Sequence, residues 1–247
     1  MNLLDNTLLQ GGKYRIIRFI SSGGFGCTYE AELVLLHKRV AIKEFFVKDF
    51  CNRDENTYHI TVATQSKVKL IERLKEKFIE EASALFSMQH PNIVRVTDVF
   101  EENGTAYYVM DYIDGKSLQD IVKEKGALNE DSAIHYISQI ADALKYVHSL
   151  NRLHLDVKPG NIVIDKNDQA ILIDFGASKQ YDEVEGENTS TLLGKTPGYA
   201  PLEQIGNEVA KFLPATDIYA LGATLYKLVT GITPVSATQL ASGETLE

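Results

Sequence analysis

The hydrophobic period of the chain changes once, near residues 113–115, and that change limits the fold more than any other feature. Before it, apolar residues come in short β-branched and aromatic runs: residues 13–20 (KYRIIRFI), 27–35, 39–46 (RVAIKEFF), 93–100 and 105–113. Such runs, bounded by polar turns, predict strands, and Asn103-Gly104 between the last two is a hairpin turn signal. One segment interrupts them. Over residues 66–88 the apolar side chains Ile71, Leu74, Phe78, Ala82 and Leu85 recur at three- and four-residue intervals, the period of a helix. From Gly115 onward the helical period dominates. Ser117 and Asp120 fit a capping-box variant, and Gly126 is a stop signal. A second helix starts near Asn129, with Glu130 and Asp131 in its first turn. Two short strands, 162–164 and 170–173, share a polar turn, and a further helix is predicted over 216–230, ended by Gly231. Residues 177–214 show little periodicity. The expected class is α+β: a strand-rich half with one long helix, then a mainly helical half.

Composition narrows the function classes. Twenty-five Lys and Arg against thirty-four Asp and Glu give a net charge of −9 over 247 residues, so there is no general electrostatic footprint for nucleic acid, and no nucleic-acid partner is expected. Cys27 and Cys51 make neither a disulfide framework nor a C-x-x-C pair. Cys27 is a candidate for electrophiles, with a packed and inert thiol as the plainer reading. The start, MNLLDNTLLQGG, has no basic region ahead of a long apolar one, and no stretch reaches the roughly 18 apolar residues of a membrane span. A cytoplasmic chain without membrane contact is the expectation.

Three constellations carry chemistry. Ser22-Gly23-Gly24-Phe25-Gly26, between two strands, lets backbone approach a ligand and aim N–H groups at phosphate, although a plain β-turn serves as well. No Gly-Lys-Ser/Thr follows it, and the next element is a strand, which excludes the Walker and dinucleotide-binding patterns. Lys43 lies in an apolar strand and Glu81 on the apolar stripe of the long helix; a buried lysine and a buried carboxylate are tolerable as a pair. The densest group is His154-Leu155-Asp156-Val157-Lys158-Pro159-Gly160-Asn161, followed by Asp174-Phe175-Gly176 at the exit of the short hairpin. Both turns lie at that hairpin, which gathers Asp156, Asn161 and Asp174, oxygen donors suited to Mg²⁺, with Lys158 beside them.

With Val40-Ala41-Ile42-Lys43, Glu81, His90-Pro91-Asn92-Ile93-Val94, Thr196-Pro197-Gly198-Tyr199-Ala200-Pro201-Leu202-Glu203 and Asp217 in the same order, the chain resembles the eukaryotic-like (Hanks-type) serine/threonine protein kinases, bacterial members in particular. The resemblance implies a bilobal kinase fold, with an N-lobe over residues 1–113 and a C-lobe over 114–247 that stops early. It implies Mg²⁺-dependent transfer of the ATP γ-phosphoryl group to protein Ser or Thr hydroxyls. Asp156 would be the base and Lys158 would steady the transferring group. Asn161 and Asp174 would hold magnesium. Lys43 would bind the α- and β-phosphates, oriented by Glu81. The turn residues 22–26, Thr28, Ala41, Met110, Asp111, Ile113 and Val163 would surround the nucleotide, with Met110 as gatekeeper and backbone groups of Asp111 and Ile113 bonding adenine. Leu85, Val96, His154 and Phe175 would form an apolar spine based on Asp217. A scaffold without catalysis is the alternative, disfavoured by the presence of Lys43, Asp156, Asn161 and Asp174 together.

Departures from the family pattern matter too. Ser21 and Thr28 stand where glycine and valine are usual. Leu155 replaces the arginine that pairs with an activation-segment phosphate, so activity is expected not to depend on phosphorylation there, although Thr189, Ser190, Thr191 and Thr196 are available. Residues 48–66 form an insert before the long helix, read as an extra hairpin or docking element, or more simply as an adaptable surface loop. The early stop is expected to leave Glu203 without its usual arginine and apolar surface open to self-association.

Overall fold

The structure is a computed structural model, and it describes residues 2–24, 26–175 and 196–246. The chain divides into two compact units, Met1–Gln89 with Arg95–Tyr112 and His90–Val94 with Ile113–Glu247. Against the single boundary expected after Ile113, the structure divides the chain one residue earlier and assigns residues 90–94 to the second unit. The reason is local: Ile93 bridges to Leu172, whose N–H donates to the Asn92 carbonyl and whose carbonyl accepts from the Val94 N–H.

The first unit is built on an antiparallel sheet of six strands. They are β1 (Leu8–Leu9), β2 (Tyr14–Gly23), β3 (Gly26–Leu33), β4 (Lys38–Phe45), β7 (Val96–Glu102) and β8 (Thr105–Asp111), in spatial order β1-β2-β3-β4-β8-β7. Between β4 and β7 the chain adds the strands β5 (Cys51–Arg53) and β6 (Ile60–Val62) and the helix α1 (Val68–Ser87). Alternation places Ala41, Lys43 and Phe45 of β4 on one face and Ile42 and Glu44 on the other. On the first face Phe78 of α1 packs against Phe45 and Tyr108, with ring centroids 5.7 and 5.0 Å apart. The opposite face is buried as well: Tyr29, Ile42 and Tyr107 are inaccessible, and Phe100 stacks on both Tyr107 and Tyr14.

The insert supplies part of that second cover. Residues 48–66 do not form the adaptable surface loop that was the simpler expectation. They contain the β5–β6 hairpin, registered Cys51 to Val62 and Arg53 to Ile60. Asp54 Oδ1 closes its turn by accepting from the N–H groups of Asn56 and Thr57. The Ile60 N–H donates to the Asn103 carbonyl, which ties the hairpin to the β7–β8 turn. Arg53 crosses into the core and meets Glu44 at 2.6 Å, with both side chains fully buried.

The second unit holds β9 (Gly115–Ser117), α2 (Leu118–Lys125), α3 (Glu130–Ser149), β10 (Ile162–Asp165), β11 (Ala170–Leu172), α4 (Leu202–Ile205), α5 (Pro214–Thr230) and α6 (Ala237–Ala241). The predicted caps hold: Ser117 accepts from the Asp120 N–H, Asn129 from the Ser132 N–H, and Gly126 and Gly231 end their helices with positive φ. A three-stranded sheet in the order β11-β10-β9 sits by the N-terminal end of α2. The helices α3 and α5 pack together and are joined by His148 Nε2 and Asp217 Oδ2 at 2.8 Å. Two short helical pieces, α4 and a 3₁₀ turn at Val209–Lys211, lie where no periodicity was visible. Leu213, Ile218, Val229 and Ile232, on and beside α5, are exposed. No helix among the described residues is long and apolar enough to cross a membrane.

Candidate active site

In the second unit the chemistry begins with the end of α3. Pro159 and Gly160 prevent the chain from continuing as α-helix, and residues Pro159–Asn161 make one 3₁₀ turn before β10. Asp217, completely buried in the first turn of α5, then shapes the preceding residues. Its carboxylate accepts from the N–H groups of His154 and Leu155 at 2.9 and 2.7 Å and contacts His148. Leu155 is held at φ +67°, a left-handed backbone that costs a side-chain-bearing residue about 1–2 kcal/mol. Gln204 Nε2 donates to its carbonyl at 2.6 Å, and its side chain is buried where the family usually has arginine.

Asp156 follows, and its carboxylate is held from three sides. Lys158 Nζ donates to Oδ2 at 2.6 Å, and Asn161 Nδ2 donates to Oδ2 and to the backbone carbonyl at 2.8 Å each. The Thr196 hydroxyl donates to Oδ1 at 2.9 Å while accepting from Lys158 Nζ at 3.0 Å. This bridge by Thr196 was not legible in the sequence, since the residue was singled out only as a motif member and a free hydroxyl. The hairpin does gather the two turns as expected. The Ile173 N–H donates to the Asn161 carbonyl at 2.9 Å, which sets Asp174, at φ +65°, next to Asn161. His154 is inaccessible and packs against Phe175, with ring centroids 4.4 Å apart and planes tilted by 58°. Burial pushes its pKa down, against the pull of Asp217, Asp156 and Asp174. Its Nδ1 accepts from the Asp156 N–H at 3.2 Å, so the neutral ring carries its proton on Nε2. Val163 is half-buried on β10, opposite Ile171 and Ser117. Glu203 accepts from the Thr216 hydroxyl at 2.8 Å.

The first unit carries the other expected residues. Lys43 is nearly buried on β4, opposite Thr28 and Tyr108, with Nζ 5.6 Å from the Tyr108 ring centroid. Glu81 is half-buried on α1, the helix that packs on β7 and β8. Ala41 pairs with Met110, and both are buried. The Asp111 N–H donates to the Arg95 carbonyl at 3.0 Å. Its neighbour Tyr112 is gripped by Arg39, 4.0 Å from the ring centroid, and by Arg18, both ion-paired to the buried Glu30. Ser22 and Gly23 end β2, Gly24 lies in the turn and Gly26 opens β3. A side chain on Gly23 or Gly24 would meet open space, whereas a Cβ on Gly26 would lie 2.1 Å from the Glu44 carbonyl oxygen. Phe25, Gly176, Thr189, Ser190 and Thr191 lie outside the described residues. Both cysteine thiols are buried, and burial pushes both up, so Cys27 is the inert alternative.

The oxygen donors fit a hard cation. Asn161 spends its amide nitrogen on Asp156, so the amide oxygen is the atom with which it would meet a cation.

Known proteins resemble this chain over most of its length. A probable serine/threonine-protein kinase of Clostridium perfringens is 33% identical over 225 residues, covering 91% of this chain and 30% of that protein. The serine/threonine-protein kinase PrkC of Bacillus subtilis is 32% identical over 223 residues, covering 90% and 31%. The chain therefore spans about a third of the length of these relatives. Among solved structures, the apo form of PpkA-294 superposes with a TM-score of 0.86 at 27% identity, covering all of this chain and 85% of that one. Rad53 1-466 in complex with AMP-PNP superposes at 0.67 with 26% identity, covering 91% and 50%. Residues 14–245 match the model of the protein kinase domain, and the chain belongs to that family.

Proposed function

We propose that the chain transfers the γ-phosphoryl group of ATP to serine or threonine hydroxyls of a protein substrate. The observation that carries this reading is the Asp156 carboxylate. It is fixed by Lys158 and Asn161 and already accepts one hydroxyl, that of Thr196, at 2.9 Å. A carboxylate so placed accepts the proton of an attacking hydroxyl, and Lys158 supplies positive charge where charge builds on the transferring group. Phosphoryl transfer asks little more of a protein than positioning and neutralisation. Lys43, oriented by Glu81, holds the α- and β-phosphates. Residues 22–26, with Thr28, Ala41, Met110, Asp111, Ile113 and Val163, enclose the nucleotide. Asn161 and Asp174 hold Mg²⁺, which when bound draws negative charge off the phosphate oxygens. A cytoplasmic location and self-association through exposed apolar residues near α5 belong to the same reading, and sedimentation independent of concentration would count against the latter.

The test is Asp156→Asn, which keeps the hydrogen-bonding shape and removes the base. Transfer of radiolabelled phosphate to protein should fall about 10³-fold with ATP affinity nearly unchanged. A variant working at the full rate removes the assignment.

A further inference from the structure

We propose that Arg53, in the β5–β6 insert, is a positioning residue for the phosphate-binding strand β4. It acts through Glu44, and the proposal rests on the assignment of Lys43 to the ATP phosphates. Glu44 is the residue after Lys43, and its side chain points to the opposite, fully covered face of the sheet. There the carboxylate accepts from Tyr29 at 2.9 Å, Tyr107 at 2.7 Å and Arg53 at 2.6 Å. Only Arg53 brings charge. Burial works against the guanidinium, yet the hydrogen bond and charge of Glu44 outweigh it and hold the group more firmly protonated. Arg53 also lies 5.0 Å from the Phe46 ring centroid and donates to the Tyr58 carbonyl at 3.4 Å, so it fastens the hairpin while neutralising Glu44.

Glu44 touches both elements that the proposed function gives to the phosphates. It is bonded to Lys43, and its carbonyl oxygen occupies the space that a side chain on Gly26 would need. Without Arg53 an uncompensated carboxylate would be buried there, and a buried charge that has lost its partner relaxes toward water at the expense of local geometry. The strand and the base of the glycine turn would move with it. The unpaired negative charge would also oppose anionic phosphates. Both effects act on nucleotide binding before they act on the chemical step.

The experiment compares KM for ATP, kcat and affinity for a fluorescent ATP analogue with Mg²⁺ in this chain and its variants. Arg53→Met should raise KM for ATP about tenfold with kcat, corrected for active fraction, within about twofold. Loss of stability alone lowers the active fraction and leaves KM where it was, and that result overturns the proposal. The double variant Arg53→Met with Glu44→Gln should return KM to within about threefold of the parent, because no buried charge remains. If it stays as defective as the single variant, the route through Glu44 is overturned. Should Arg53→Met fail to fold, Arg53→Lys keeps the charge without the planar fork and should raise KM about threefold; no change overturns the proposal. Lys43→Ala separates the two levels. If it has no effect, the phosphate assignment falls and this proposal with it. If it weakens nucleotide binding while Arg53→Met does not, the Arg53 proposal falls alone.

Discussion

Among the described residues each unit buries one carboxylate completely, and the two are satisfied in opposite ways. Glu44 takes its hydrogen bonds from side chains: Tyr29 on β3, Tyr107 on β8 and Arg53 on β5. Asp217 takes two of its three contacts from backbone, the N–H groups of His154 and Leu155. Side-chain donors tie elements together and fix where one lies against the next. Backbone donors dictate the conformation of the segment that offers them, here the left-handed Leu155 immediately before Asp156. The contrast teaches that a buried charge serves as a fastener in one unit and as a template in the other. Removing it should therefore cost stability in the first case and rate in the second.

The largest effect expected from this contrast is on stability. Glu44→Ala strands the Arg53 guanidinium in the core, and urea denaturation should show a loss of about 3–5 kcal/mol. A loss below about 1 kcal/mol would mean that Arg53 finds water and that Glu44 fastens nothing. Asp217→Asn is the milder change in stability, about 1–3 kcal/mol, because one acceptor oxygen and the shape remain. Its signature should be kinetic instead. With one N–H released, Leu155 relaxes and Asp156 shifts, and phosphoryl transfer should fall about 10²-fold. Equal losses in the two variants, in stability and in rate, would erase the distinction.

The smallest effect concerns the second unit's response to acid. Burial lowers the pKa of His154 in the folded chain, whereas the unfolded chain takes the proton as pH falls through about 6.5. The unfolded state then binds more protons, so stability present above that pH is lost on acidification below it. Denaturation between about pH 7.5 and about pH 5.5 should show this slope, reduced in His154→Phe. Identical slopes in parent and variant would remove His154 as the cause.

How far the sequence carried differs from element to element. The helices were readable from different signals: period at α1 and α3, an N-cap at α2 and α3, and a glycine stop at α2 and α5. The loop holding Asp156, Lys158 and Asn161 was readable because Pro159 and Gly160 exclude α-helix and the following strands are short. The insert was not. Its strands are three residues each, too short for a period, and its turn is closed by Asp54 rather than by Asn-Gly or Asp-Gly. Glu44 gave no warning either, because a charge in an apolar strand reads as solvent-facing until the far side of the sheet is seen to be covered. Thr196 reaches Asp156 across 40 residues, through a fold that local pattern does not specify. What was missed, in each case, is a contact made by a polar side chain whose partner is distant in sequence or lies on another element.

Gly26 has a consequence for how such chains are recognised. The carbonyl of Glu44 excludes any side chain at that position, whether or not a nucleotide ever binds. A descendant that had abandoned catalysis would still be obliged to keep this glycine to close β3 on β4, while Gly23 and Gly24 would be free to drift. The three glycines therefore carry unequal diagnostic weight. Only the two with open space beside them bear witness to a ligand; the third bears witness to the sheet.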